Sequence, residues 1–289
     1  MDPKIYAVIG GDKRQCHLAE LLRESGCDVV VSGLEQAVLH PDIKKLPLAS
    51  SIAAADIIIL PLPLTADNVT VRCEYSFEPV YLADIFSHAD KNKLIAAGRV
   101  GKDLLGAARA RGLRIVDYFE REELSVLNAI PTAEGALQIA MENTPFTLFG
   151  AKCLVAGYGR IGKILSFDLR MLGADVSVSA RKFADLAWIE ANAMRPVPSA
   201  QLQKFAGKFD VIFNTVPFVL FDETVLKKIR PGALVIDLAS APGGVDFDAA
   251  ARLGVKAVQA LSLPGKVAPK TAARIILATV KNLAEENRM

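Results

Sequence analysis

The chain has 289 residues, 52% hydrophobic and 23% charged, with a net charge of +2. That length and balance indicate about two packed domains and exclude a disordered chain. Without a long single-sign run it offers nothing to nucleic acid or an anionic membrane, and its densest apolar segment, Ile57–Leu64, is short and broken by Pro61 and Pro63.

Ile5–Ile9 predicts a buried strand and Gly10-Gly11-Asp12 a turn. Leu18, Leu21 and Leu22 mark one face of the helix that follows, and Asp28–Val31 predicts the next strand. The turn lacks the third glycine of a dinucleotide loop. Asp12-Lys13-Arg14-Gln15 instead places polar groups at the carboxyl end of the first strand, the edge where open α/β sheets hold ligands. A small-anion or substrate site and a solvated turn both fit. Further strands are predicted at Asp56–Leu60, Lys93–Ala97 and Leu113–Asp117, with helices at Tyr81–Ser87 and 102–111. The stiff loop Pro61–Thr65 and the segment Gly98-Arg99-Val100-Gly101 follow two of these strands at the same edge. Such alternation predicts a parallel sheet with helices on both faces.

Cys16, Cys27, Cys73 and Cys153 form no Cys-x-x-Cys pair, and His17, His40 and His88 fall in no ligand spacing. No metal and no disulfide framework are expected, and without signal-peptide architecture the expected address is cytoplasmic.

Between the halves lies Asn128-Ala129-Ile130-Pro131-Thr132-Ala133-Glu134-Gly135. Pro131 suits a helix start, with the connector helix over 132–143, and Thr132 reads either as a helix cap or as a residue facing substrate.

Residues 152–182 carry the strongest signal. A buried strand, Lys152–Ala156, runs into Gly157-Tyr158-Gly159-Arg160-Ile161-Gly162, an amphipathic helix through Leu172 and a second strand, Asp175–Ser179. In this βαβ setting Gly157 serves the tight turn, Gly159 the close approach of a pyrophosphate, and Gly162 the packing of helix on strand. The helix beginning at Arg160 and Ile161 presents free N–H groups to the phosphates. Where NAD enzymes carry an acid for the ribose 2′-hydroxyl, this chain has Ser179-Ala180-Arg181-Lys182. Small residues followed by two cations suit a 2′-phosphate, so NADP is favoured, with NAD left open; a plain basic loop would look the same.

Strands at Asp210–Phe213, Ala233–Asp237 and Val255–Gln259 complete the second half. Asn214-Thr215-Val216-Pro217 and Ala239 lie at the carboxyl edge facing the cofactor. Ser240 follows Ala239 there, and Pro264-Gly265-Lys266 precedes a long final helix over 270–286, a suitable carboxylate receptor.

Taken together, the Gly10–Gln15 turn, Asn128–Gly135, the Gly157–Gly162 motif and Leu263-Pro264-Gly265-Lys266-Val267-Ala268-Pro269, in that order, resemble the dipicolinate synthase A-subunit family of spore-forming bacteria. The similarity spans essentially the whole chain. It implies a pyridine nucleotide-dependent dehydrogenase of the mother cell that converts a dihydrodipicolinate to pyridine-2,6-dicarboxylate. It also implies a flavoprotein B-subunit as partner, for which these residues offer no sign of their own. Arg181 and Lys182 fit the family's use of NADP.

A substrate with two carboxylates calls for cations and hydroxyls. The candidates are Arg14 and Arg99 in the first half, Thr132 on the connector, and Ser240, Lys266 and Thr271 in the second. Aromatisation favours the reaction, so positioning carries much of the catalysis. Lys266, Thr132 and Ser240 are the catalytic candidates, Lys266 serving as acid–base group where desolvation lowers its pKa. The expected architecture is α/β, with two doubly wound, Rossmann-like parallel sheets and an interdomain cleft. Residues 1–130 form a Rossmann- or flavodoxin-like substrate domain, and 131–289 an NADP-binding domain that includes the connector and final helices. A homo-oligomer is left open. A D-2-hydroxyacid or alanine-type dehydrogenase shares this plan, but it wants a catalytic histidine and all three lie in the first half. A non-catalytic NADP-binding regulatory protein would need only the glycine motif.

Overall fold

The computed structural model describes residues 4–287 and divides into two units, one running to Asn128 and resuming at Ala268, the other spanning Ala129–Val267. The first unit runs β1 (Ile5–Ile9), α1 (Lys13–Glu24), β2 (Asp28–Ser32), β3 (Lys44–Lys45), α2 (Leu48–Ala54), β4 (Ile57–Ile59), α3 (Leu82–His88), β5 (Leu94–Ala97), α4 (Lys102–Ala110) and β6 (Arg114–Asp117). Its six parallel strands lie in the order β3-β2-β1-β4-β5-β6, the dinucleotide-fold order rather than the flavodoxin one.

Helix α5 (Glu122–Asn143) then leads into β7 (Lys152–Ala156), α6 (Arg160–Met171), β8 (Asp175–Ala180), α7 (Phe183–Ala191), β9 (Arg195–Pro198), α8 (Leu202–Phe205), β10 (Val211–Asn214), α9 (Glu223–Leu226), β11 (Leu234–Asp237), α10 (Phe247–Arg252), β12 (Lys256–Gln259) and α11 (Leu263–Val267). This sheet repeats the same topology, β12-β11-β10-β7-β8-β9. In each sheet the strand order reverses at one point, between β1 and β4 and between β7 and β10. Ligands of such sheets sit outside the carboxyl ends of the strands there.

The central strands read as unbroken apolar runs because both faces are covered. In the first unit Val8, Ile57, Ile59 and Leu94 point to one core and Ala7, Ile9, Ile58 and Ile95 to the other, following the two-residue period of a strand. In the second, Cys153, Val155 and Phe213 face the helices α5, α6 and α7, while Leu154, Ala156 and Ile212 face α8, α9 and α10.

The last helix, α12 (Pro269–Glu286), corrects the expected domain division. It belongs to the first unit, where Ile276, Leu277, Val280 and Leu283 share a core with Leu18 and Leu22 of α1. Without it, that face of the sheet would be covered largely by α1. Arg121 anchors the far end of α12 through a two-pronged pair with Glu286, at 2.7 and 2.6 Å.

Two local expectations also change. The helix expected over 132–143 begins at Glu122, and Pro131 lies inside it rather than at its start. A proline there has no N–H to give to the Leu127 carbonyl, which falls beside the unit boundary. Pro264-Gly265-Lys266 lies within the short helix α11, not in a turn. Strand β9, Arg195-Pro196-Val197-Pro198, escapes sequence reading because two of its four residues are proline; it is an edge strand, the place where a missing N–H is tolerated.

Candidate functional site

The three glycines of the second unit's loop answer to three different constraints. Gly157 has φ +102°, and a Cβ on it would stand 2.3 Å from Thr215 Oγ1. A Cβ on Gly162 would stand 2.1 Å from the Gly157 carbonyl oxygen, so the first turn of α6 rides directly on the loop. Gly159 is different: nothing lies within 4 Å of its Cβ position, and as the N-cap of α6 it brings no side-chain cap. The open flank beside a helix start that lacks a side-chain cap is the kind of end that favours an anion. Ile161 packs against the core, and Arg160 is exposed.

At the end of β8 the side chains divide. Ser179 and Ala180 are buried, and the Ser179 hydroxyl lies 3.1 Å from that of Ser199. Contrary to expectation, both side chains are covered: they point to opposite faces of the sheet, Ala180 into the core with Val176 and Val178, and each face is packed over. Arg181 and Lys182, immediately beyond, are exposed, and no acid stands beside them in the chain.

The neighbouring loops are held by a pair that sequence reading missed. Asn214 and Asp237 end β10 and β11 in register, both fully buried. Asn214 Nδ2 donates to Asp237 Oδ1 (2.7 Å) and to the Val216 carbonyl (3.0 Å), and Val216 N–H donates back to Asn214 Oδ1 (3.2 Å). Asp237 also accepts from the Ala239 and Gly244 N–H groups, at 3.1 and 2.9 Å. Asn214 is therefore a brace rather than an exposed contact. Thr215 donates to the Ala156 carbonyl (2.9 Å), tying its loop to β7, while Pro217 is exposed. Ala239 is buried and Ser240, one residue on, is exposed. The available signal was an acid closing an apolar strand, Leu234-Val235-Ile236-Asp237, shortly before Gly243-Gly244.

Lys266 is exposed on α11, so the burial on which its acid–base role depended is absent; a solvated ammonium suits carboxylate binding. Thr132 is half-buried within α5, which removes the capping explanation.

In the first unit, Arg14 is buried and its fork is already engaged. Nε donates to Asp12 at 2.9 Å, and Nη2 donates to Asp12 at 2.6 Å and to the Leu62 carbonyl. Asp12 caps α1 through the Arg14 N–H in a capping box with Gln15. Burial works against its charge, yet the Arg14 guanidinium holds the Asp12 carboxyl below its ordinary range. Arg14 thus braces the turn.

Arg99 is exposed in the left-handed region, φ +58°. Asp117 holds it there by accepting from the Arg99, Val100 and Phe119 N–H groups, at 2.9, 2.6 and 2.8 Å. Thr271, exposed in the first turn of α12, belongs to this unit rather than the second.

Burial raises the Cys16 and Cys73 thiols to about 11 and that of Cys153 to about 12, which makes them poor nucleophiles at neutral pH. Among the described residues no group of His, Cys, Asp and Glu is arranged to hold a metal ion, and no helix is long and apolar enough to cross a membrane.

Residues 5–119 match the family described as the N-terminal domain of the dipicolinate synthase A-subunit. The chain is 34% identical to the dipicolinate synthase A-subunit of Bacillus subtilis, covering 97% of this chain and 95% of that protein. It is similar to the crystal structure of the dipicolinate synthase A-subunit from Bacillus halodurans, with a TM-score of 0.90, 32% identity and coverage of 97% of both chains. At 16% identity, likeness to a transhydrogenase from Sinorhizobium meliloti (TM-score 0.67, covering 96% of this chain and 94% of that one) extends to the fold alone.

Proposed function

The chain belongs to the dipicolinate synthase A-subunit family, and from that premise we propose that it is a nicotinamide dinucleotide-dependent dehydrogenase that oxidises dihydrodipicolinate to pyridine-2,6-dicarboxylate. The observation that carries the proposal is the loop Gly157–Gly162, with its open Gly159 flank and uncapped helix end, at the point where the strand order reverses.

When bound, the dinucleotide would supply a hydride acceptor, and the dihydropyridine ring, losing a hydride and a proton, would become aromatic. The chain's own share is to bind and align. The α6 N–H groups hold the pyrophosphate, and Arg181 and Lys182 take a ribose 2′-phosphate, which favours NADP. The Asn214–Asp237 brace keeps the Val216 and Ala239–Gly244 loops in place, and with them the exposed Ser240. Aromatisation lowers the demand on a base, so orientation supplies several kcal/mol of the roughly 7–11 kcal/mol that positioning can provide. Water accepts the proton, directly or relayed by the Ser240 or Thr132 hydroxyl. Within the second unit Lys266 and Ser240 are the proposed carboxylate contacts; the first unit's own candidates for binding an anion are Arg99, Thr271 and Arg14.

The lettered designation of the relatives implies that they work with a partner protein. We take that partner to be a flavoprotein and the setting to be the sporulating mother cell. A turnover assay tests the proposal: purified chain, the lysine-pathway intermediate generated in place, and NADP or NAD, with NAD(P)H and the aromatic dicarboxylate followed together. A second series adds the flavoprotein. Product from this chain alone supports the proposal. Product only with the flavoprotein places the chemistry across the two proteins. Bound dinucleotide with no product in either series overturns the dehydrogenase and leaves a non-catalytic dinucleotide-binding protein.

A further inference from the structure

Beside α6, in the second unit, lies a cavity of about 330 Å³ lined by Tyr158, Lys163, Ile164, Phe167, Arg170, Asn192 and Met194. Its size falls at the lower end of the roughly 300–1,000 Å³ of small-molecule sites. It is not the dinucleotide's place. Phosphates belong at the N-terminus of α6, whereas Arg170 stands ten residues beyond Arg160, about 15 Å along the helix at 1.5 Å per residue. Lys163, Ile164, Phe167 and Arg170 recur at helical spacing along one stripe of α6, and Asn192 and Met194 come from the turn after α7.

The lining has a definite chemical bias. Ile164, Phe167 and Met194 make an apolar wall, and Phe167 is 54% exposed, which leaves it open to stacking on a flat ligand. Lys163 and Arg170 flank that wall from positions seven residues apart, about 10 Å along the helix. The Lys163 ammonium lies 5.5 Å from the centre of the Tyr158 ring, another lining residue. Burial, then the charge of Asp185, raises the Tyr158 phenol above its ordinary range, so at neutral pH it remains an O–H donor. A monoanion would leave one cation without a partner, and a purely apolar ligand would leave both. A planar ring with a carboxylate on each side meets the whole lining, with charge-assisted bonds at both ends.

We propose that this groove is a second, non-catalytic site for a planar aromatic dicarboxylate. The ligand's identity as the product, pyridine-2,6-dicarboxylate, rests on the function proposed above; the groove's preference for an aromatic dianion does not. Because Tyr158 lies between Gly157 and Gly159, a ligand seated here touches the loop that serves the dinucleotide, which places product sensing beside cofactor binding.

Titration calorimetry on the full chain tests the site. The probes are pyridine-2,6-dicarboxylate, benzene-1,3-dicarboxylate and benzoate, against the wild type and the Lys163→Gln, Arg170→Gln and Phe167→Ala variants. Dinucleotide affinity serves as the control for folding. Both dicarboxylates are expected to bind, with benzoate at least tenfold weaker. Each Gln variant should lose about tenfold or more for the dicarboxylates while its dinucleotide affinity stays unchanged. Failure of the wild type to bind either dicarboxylate overturns the proposal, as does binding that all three variants retain, since the ligand then sits elsewhere. Variant-sensitive binding with no product in either turnover series keeps this site and sinks the dehydrogenase. Turnover with variant-insensitive binding does the reverse.

Discussion

Asn214 and Asp237 meet at the carboxyl ends of β10 and β11, amide to carboxylate over 2.7 Å, with both side chains fully buried. The carboxylate takes two further N–H donors from the loop that follows it. Asp237→Ala would leave three donors facing no acceptor, at roughly 1–3 kcal/mol each if water does not reach them. Urea unfolding is expected to show a loss of about 3 kcal/mol or more. A change below about 1 kcal/mol would mean the loops rearrange and the brace is dispensable.

The glycine loop offers a contrast between two alanines. At Gly162 a Cβ would overlap the Gly157 carbonyl, so Gly162→Ala must shift backbone and should cost about 2 kcal/mol or more, together with dinucleotide affinity. At Gly159 the space is open, so Gly159→Ala should change stability by less than about 1 kcal/mol yet weaken the dinucleotide, whose phosphates need that approach. Thermal unfolding and fluorescence titration with NADPH read the two effects separately. Equal behaviour of the two variants would refute the division of labour.

Arg181 is the residue on which cofactor choice is proposed to turn. Arg181→Glu should lower NADPH affinity at least tenfold and leave NADH affinity level or improved, because the new carboxylate repels a 2′-phosphate and accepts from a 2′-hydroxyl. Titration of both nucleotides measures the ratio. An unchanged ratio would show that Arg181 only decorates a solvated loop.

Asp12 makes the first unit sensitive to acid. Its folded carboxyl is held below the ordinary value of 3.8 by Arg14, so the folded state binds its proton less readily than the unfolded chain does. The stability it contributes is complete above about pH 4 and is lost as pH falls below 3.8 toward the folded value. Asp12→Asn should be less stable at neutral pH and show a flatter acid limb, followed by circular dichroism from about pH 6 to 2. An unaltered acid limb would assign the sensitivity to other carboxyls.

Removing α12 should unfold one unit and spare the other. Truncation after Val267 uncovers the sheet face on which Val280 and Leu283 pack, each burial being worth about 1.5–3 kcal/mol. The truncated chain is expected to lose about half its ordered structure by circular dichroism while still binding NADPH. Full retention of structure would contradict the assignment of α12 to the first unit.

The sequence by itself determined five of the six strands of each sheet and the glycine loop, and missed the edge strands β3 and β9. Their signals are local: apolar runs of strand length, glycines at fixed spacing, and a helix period that begins beside them. It also located Arg181 and Lys182, since nothing but their position after a strand was needed. Tertiary structure alone decided which unit owns α12, because its apolar stripe would suit either sheet and only the uncovered face beside α1 selects one. It alone showed Pro131 inside a helix, Arg14 drawn into Asp12 and Ser179 turned inward. It alone joined Asn214 to Asp237, 23 positions apart, because strand register sets which polar ends meet and no spacing along the chain encodes it.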